Sequence, residues 1–255
     1  MDIDKNIWNE FSTFQKICRN NPVFPDCEFL SHFLNTLPQL ELTINPGTSF
    51  FRARIYQSSF PDFFAEYVRK NPEESLENKL LTLVLSMQHN HSSTQHEAGF
   101  NGYNSKDSFV NPNPKTISEG RCNHNHEQCL YLAEDIDTAI SELKPLIREK
   151  ISVARIESIE ELRLVDLGFS TANDPYQKLI AFLFVTSPTQ DEYDIYTFTQ
   201  VISSLIKQKG YDGIRYSSCQ NLSKLNYAIF NYNKCKPVSS DVFEVESISY
   251  RSKKT

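Results

Sequence analysis

Cys129-Leu130-Tyr131-Leu132-Ala133-Glu134-Asp135, continuing as Ile136-Asp137-Thr138-Ala139-Ile140-Ser141-Glu142-Leu143, is the stretch that decides the fold. Residues 129–133 are a short apolar run of strand length. Asp135 stands where its carboxylate can accept a backbone N–H of the following turn, the usual start of a helix. Ala139, Ile140 and Leu143 then recur at helical spacing, which predicts a helix to about Leu143. Outward from this unit, Ile151–Ile156 and Leu162–Leu167 read as strands, and the wholly apolar Ile180–Val185 as a third. Tyr196–Lys209 reads as a helix closed by Gly210. Gly213–Tyr216, Tyr227–Phe230 and Val242–Ser249 complete the strands. Strands dominate and helices interrupt them irregularly, so the expected class is α+β.

Upstream, residues 5–19 place Ile7, Trp8, Phe11, Phe14, Ile17 and Cys18 on one helical face. Asn21-Pro22 and Phe24-Pro25 break that pattern, because proline cannot continue a helix. A second short helix is expected from Cys27 to Leu37. Residues 1–44 are therefore read as a helical extension and residues 45–255 as the main domain. Asn45-Pro46-Gly47 is a turn, and Ser49–Tyr56 has the aromatic and branched composition of a strand. Residues 61–70 and 72–89 read as helical, the second starting at Asn71-Pro72 with Leu76, Leu80, Leu83, Val84 and Met87 inward. Residues 90–119, rich in His, Ser, Asn and Pro, form a long segment of the kind that usually serves function or moves.

The chain has 255 residues, 39% hydrophobic and 12% aromatic, which supports a packed core rather than disorder. A net charge of −6 argues against a general nucleic-acid binder, which needs a basic surface. Only 7 glycines make a glycine-rich phosphate loop improbable. No apolar run of about 18 residues is present to cross a membrane. The N-terminus lacks the basic-then-apolar order of a secretory signal. The six scattered cysteines read as free thiols of a reducing cytoplasm.

Four ordered segments resemble the RES domain family, named for an Arg, a Glu and a Ser. They are Phe51-Arg52-Ala53-Arg54; Gly120-Arg121-Cys122-Asn123 with the 130–143 stretch; Leu164-Val165-Asp166-Leu167; and Gly210-Tyr211-Asp212-Gly213-Ile214-Arg215-Tyr216-Ser217-Ser218. Tyr196 and Gln200 precede the last, and Asn226-Tyr227-Ala228-Ile229-Phe230 closes the set, so the resemblance spans roughly residues 48–232. Cys122 stands where the family often has tryptophan, and Ser217 where it often has proline. The resemblance implies an ADP-ribosyltransferase-like split β-sheet core. It further implies a toxin that attacks NAD as its substrate by phosphorolysis or hydrolysis, or that modifies a protein with ADP-ribose. It implies an antitoxin protein as partner, inorganic phosphate as one acceptor, and no metal.

Residue by residue, Arg52 matches the family's first arginine, suited to phosphate because a guanidinium donates in a fork. Arg54 shares its strand parity and competes for that role. Glu142 matches the acid, able to accept ribose hydroxyls and favour a developing ribosyl cation. Tyr131 could stack on nicotinamide or bond a phosphate, or be a core tyrosine. Ser218 matches the family serine, with Ser217 open as the one facing the cleft. Arg121 and Asn123 are further candidate contacts, although Asn123 equally suits a turn. Gln200 and Asn226 match recurrent family positions and read as structural polar groups, with a supporting place behind the contact residues left open. A rival reading takes Cys122, His124, His126 and Cys129 as a zinc set organising a non-catalytic binding module, at a spacing unlike the common zinc patterns. The extension could pack on the domain or on a second subunit of a homo-oligomer.

Overall fold

The computed structural model describes residues 4–20, 27–56, 67–89, 97–186 and 194–249. Its centre is a sheet of eight strands: β1 (Glu41–Ile44), β2 (Ser49–Ile55), β3 (Leu130–Ala133), β4 (Lys150–Ser158), β5 (Leu162–Leu167), β6 (Gly213–Ser217), β7 (Leu225–Ile229) and β8 (Cys235–Glu244). Their spatial order is β1-β5-β6-β7-β3-β2-β4-β8. Only β5 and β6 pair in parallel; the other neighbours are antiparallel. A parallel pair needs a long crossover. Two helices supply it, α5 (Pro175–Val185) and α6 (Asp194–Gln208).

The sheet is split. β2 and β4 pair along seven positions, from Ser49↔Glu157 to Ile55↔Ile151, and β3 and β7 pair along four. Between β2 and β3 only Phe51↔Ala133 is paired. The two half-sheets, β1-β5-β6-β7-β3 and β2-β4-β8, therefore part on one side of that link. Helix α4 (Ile136–Glu142) packs on β2, β3 and β4 beside the seam. Asp135 caps it, its Oδ1 accepting from Thr138 N at 2.7 Å.

One core lies between the sheet and the helices. Phe11, Phe14 and Cys18 of α1 (Lys5–Asn20) and Phe29, Leu30 and Phe33 of α2 (Glu28–Thr36) pack there. They meet Leu179, Ile180, Leu183 and Phe184 of α5, Phe198 and Ile202 of α6, and Val165 and Ile214 of the sheet. The second core joins Phe50, Leu130, Leu132, Ile156, Leu162, Leu164, Tyr227 and Ile229. The helical reading of residues 1–44 fails at its end: Glu41–Ile44 is strand β1, paired with β5.

Other expectations need correction. Ile180–Val185 is the end of helix α5, not a strand. Six apolar residues fit either state. The upstream Asp174-Pro175-x-Gln177 decides, with Asp174 and Gln177 forming a reciprocal cap. The last strand starts at Cys235, seven residues before Val242; Pro237 hid it, and β8 tolerates proline because it is an edge. The helix expected from Asn71-Pro72 is α3 (Leu76–His89), which begins four residues late with Asn78 N donating to Ser75 Oγ at 3.3 Å. Its Leu76 and Leu80 are exposed rather than inward. The side chains of Leu83, Val84, Met87 and His89, and residues His91 and His96, lie outside the described positions, as do residues 61–66 of the preceding predicted helix. The stretch around residues 99–103 of the long segment lies against β4 and β8: Tyr103 N donates to Ser152 Oγ at 2.9 Å, and Gly102 has no room for a Cβ against that hydroxyl.

Asp212 ties three strands together. Its backbone N–H donates to Arg163 O at 2.7 Å, and its carbonyl accepts from Phe230 N at 2.8 Å. Its carboxylate accepts from Arg163 N (2.9 Å), Lys234 Nζ (2.9 Å) and Asn231 Nδ2 (3.2 Å). Burial opposes the charge, but the bonds from Arg163, Lys234 and Asn231 outweigh it and hold the carboxyl below its usual range. A depressed folded-state pKa stabilises above the unfolded value and is lost as pH falls through the folded one. We expect Asp212→Asn to cost about 1–3 kcal/mol at neutral pH. The difference from wild type should shrink as urea unfolding is followed down past about pH 4, the ordinary aspartate range. An unchanged gap at low pH would show that the carboxylate charge is not what stabilises this corner.

Candidate active site

Beside the Phe51↔Ala133 link the seam opens into a cleft of about 260 Å³. Its walls are Phe51, Arg52 and Ala53 of β2, Tyr131, Leu132 and Ala133 of β3, Ala139, Glu142 and Leu143 at the end of α4, Tyr216 of β6 and Asn226 of β7. The floor follows from register. Phe51 pairs with Ala133, Ala133 with Asn226, and Asn226 with Tyr216, so these four side chains share one face of the sheet. Arg52 and Ala53 border the cleft because β2 has left β3 by that point. Arg52 and Glu142, 90 positions apart in sequence, thus share one hollow.

Glu142 is the last residue of α4, and its carboxylate is held on one side only. Ser218 Oγ donates to Oε1 at 2.6 Å and Asn226 Nδ2 donates to the same oxygen at 2.7 Å. Oε2 has the Cys219 thiol at 4.0 Å. Ser218 is fully buried, and its oxygen also accepts Gln220 N at 3.1 Å. It is absent from the cleft wall, so the expected donation to phosphate or ribose gives way to a grip on Glu142. Ser217 faces elsewhere, its Oγ accepting Phe169 N at 3.0 Å. Of the two roles left open for Asn226, the structure supports the one beside the site. It touches the acid and lines the cleft; its match to a recurrent family position was the signal in the sequence, whereas its contact with Glu142 depends on the ladder.

Arg52 has a single long hydrogen bond, 3.4 Å to Ser108 O, and no carboxylate pairs with it among the described residues. Burial, and next the like charge of Arg54, pull its pKa down to about 9. It stays a cation at neutral pH, and an enclosed cation without a counter-charge favours an anionic guest. Arg54, its competitor, is excluded from the cleft wall. It donates to Asp107 O and, at 3.3 Å, to Phe109 O, holding the 105–109 segment on β2. Arg121 is committed as well, donating to Leu183 O at 3.0 Å and Thr186 O at 3.1 Å at the open end of α5. Neither is placed to meet a ligand in the cleft.

Tyr131 presents its ring to the cleft but not a free hydroxyl. The phenol donates to Asn123 Oδ1 at 2.8 Å and accepts Cys122 N at 2.8 Å. Asn123 is buried and donates to Ser118 O (3.0 Å) and His124 O (2.9 Å), so it serves the turn. Gln200 Nε2 holds the same turn through Gly120 O at 2.9 Å. A Cβ at Gly120 would stand 2.8 Å from both Tyr131 Oη and Asn123 Oδ1, so only glycine fits. Burial pushes the phenols of Tyr131 and Tyr216 well above their ordinary range, leaving both neutral.

The four zinc candidates are not gathered. Cys122 and Cys129 are buried, and burial pushes the Cys122 thiol up to about 12, whereas His124 and His126 are exposed. The metal-ligand types found close together among the described residues are Glu10, Glu28 and His32, on α1 and α2. No described helix is long and apolar enough to cross a membrane.

The sequence model of the RES domain matches residues 93–251. Among solved structures the chain is similar to one titled as the crystal structure of the M. tuberculosis MbcT–MbcA toxin–antitoxin complex. The identity is 8% and the TM-score 0.42, over 85% of this chain and 93% of that one. A search of curated proteins gives no match.

The hydroxyl and the ring of Tyr131 thus have separate tasks. Tyr131→Phe should cost about 1–3 kcal/mol in urea unfolding, because the Cys122 N–H and Asn123 carbonyl oxygen lose their partner. The cleft keeps its aromatic wall, so ligand affinity of the folded variant should stay within about threefold of wild type, a shift below 0.7 kcal/mol. Wild-type stability in this variant would contradict the assigned hydrogen bonds.

Proposed function

Because this chain belongs to the RES domain family, whose sequence model covers more than half of it, we propose that it cleaves the nicotinamide–ribose bond of NAD, with inorganic phosphate or water as acceptor. The observation that carries this reading is one cleft whose walls include both Arg52, which no carboxylate of the described residues pairs, and Glu142, whose Oε2 has no strong partner. Arg52 precedes the matched span, so its part rests on the cleft it shares with Glu142.

The chemistry follows from what each wall offers. Small-molecule sites usually enclose about 300–1,000 Å³. A cleft of about 260 Å³ suits one end of a dinucleotide, the nicotinamide riboside, with the pyrophosphate at its mouth. Phe51, Tyr131 and Tyr216 supply the apolar and aromatic surface that a planar nicotinamide needs. Arg52 answers the phosphate charge. Breaking the glycosidic bond leaves positive charge on the ribose and releases nicotinamide as a neutral molecule. Oε2 of Glu142, the oxygen without a strong partner, is available to that charge and to the ribose hydroxyls. Phosphate then adds at the anomeric carbon to give ADP-ribose 1-phosphate, or water adds to give ADP-ribose and a proton. A toxin restrained by an antitoxin over the cleft belongs to the same proposal.

Purified protein incubated with NAD should release nicotinamide, and product analysis with and without phosphate identifies the acceptor. Glu142→Ala should lower kcat by about 10²–10³-fold or more while the protein stays folded. Arg52→Ala should act chiefly on KM, raising it about tenfold or more through a lost charge-assisted bond. Expression of the chain alone should lower cellular NAD and arrest growth, and Glu142→Ala should relieve both. No nicotinamide release under either condition would sink the reading. Label from NAD on a macromolecule would redirect it to protein ADP-ribosylation.

A further inference from the structure

The carboxylate of Glu142 is gripped asymmetrically, and the residue responsible on the cleft side is Asn226. Ser218 approaches Oε1 from outside the cleft wall, fully buried. Asn226 approaches the same oxygen from β7, is buried, and is itself part of the wall. Its backbone lies between Ala133 of β3 and Tyr216 of β6 in the ladder, so its position is set by strand register rather than by a loop. A carboxylate at a helix end rotates freely about its last torsion unless something fixes it. Two donors on one oxygen fix it and leave Oε2 with the Cys219 thiol at 4.0 Å as its neighbour.

We propose that Asn226 is a positioning residue: it selects which oxygen of Glu142 faces the substrate, and acts through Glu142 rather than on the substrate. The proposal rests on the NAD-cleaving reading of this site. Loss of the Asn226 donor leaves Ser218 as a single pivot, and the carboxylate swings. Asn226→Ala should therefore lower kcat about 10–100-fold, the scale of a misplaced catalytic group, with KM within about threefold. Asn226→Asp keeps the shape but puts a second carboxylate on Oε1, so it should be slower than the alanine variant at neutral pH. On acidification, a proton shared between Asp and Glu142 restores a donor, so this variant should regain rate as the alanine variant does not. The other titratable groups facing this position are Arg52 from β2, Tyr131 from β3, Tyr216 from β6 and Cys219 beyond it; all four are present in both variants, which cancels their influence.

The closing experiment combines nicotinamide-release kinetics of the two variants, from about pH 5 to 8, with the side-chain amide resonances of Asn226 in nitrogen-15-labelled protein. Those resonances are assigned by their loss in Asn226→Ala. Glu142→Ala should move them back to free-amide positions. If they ignore Glu142→Ala, the contact is absent and the proposal falls whatever the activity. A raised KM with unchanged kcat, or an Asp variant that stays as inert in acid as the alanine variant, would place Asn226 on the substrate instead and overturn it. Wild-type protein inert toward NAD, with resonances that do respond to Glu142→Ala, would overturn the NAD reading and leave the grip on Glu142 standing.

Discussion

The backbone pairing of Phe51 with Ala133 is the constraint on which the site depends. It holds two half-sheets in one molecule while letting β2 and β3 diverge immediately beyond it. A closed sheet would have paired the facing backbone edges and filled the space with side chains. The divergence leaves a wedge with polar backbone at its sides, an arginine on one bank and the end of α4 on the other. The link also sets the register of the floor, since Ala133 fixes Asn226 and Asn226 fixes Tyr216. A slip of one residue would turn Asn226 to the opposite face and leave Glu142 with one donor.

Charge pairing separates Arg52 from the other well-placed cations. Arg215 binds Asp166, with Nη2 to Oδ2 at 2.5 Å, Lys234 binds Asp212, Lys224 binds Asp135, and Arg163 binds Glu41. Arg54 and Arg121 have two backbone carbonyls each. In a chain with net charge −6, acids are plentiful, yet none reaches Arg52 among the described residues. An enclosed, under-compensated cation lowers stability. That cost is tolerable where a ligand anion removes it, a pattern more typical of a binding site than of a core.

What was legible in the sequence divides by range. The β3–α4 unit, the cap at Asp135 and the closing Gly210 were readable because capping and positive φ are local chemistry. Arg52, Glu142, Tyr131 and Ser218 were found through the resemblance, and the structure brings the first three to one cleft with the fourth behind Glu142. Illegible were facts that depend on who sits opposite whom. Strand parity put Arg52 and Arg54 on one face but could not say that the 105–109 segment would take two bonds from Arg54 and one long bond from Arg52. Ser217 and Ser218 differ only in the side of β6 they leave from. Ile180–Val185 was misread because the apolar run itself carries no period, while the informative residues, Asp174 and Gln177, lie outside it.

The turn before β3 shows why sequence and site are tied here more tightly than function alone requires. Tyr131 cannot point its ring into the cleft unless its hydroxyl is satisfied behind it, because a buried phenol without a partner is costly. Asn123 and the Cys122 N–H satisfy it, and Gly120 must lack a side chain for the three to meet. Gln200 of α6 then holds Gly120 from the helical layer, and Arg121 anchors the same turn to the end of α5. The aromatic wall of the cleft is thus braced through one hydrogen-bonded turn to both crossover helices. Asn123, left open between contact and turn, takes the turn, and Arg121, a candidate contact, joins it in holding Tyr131 still.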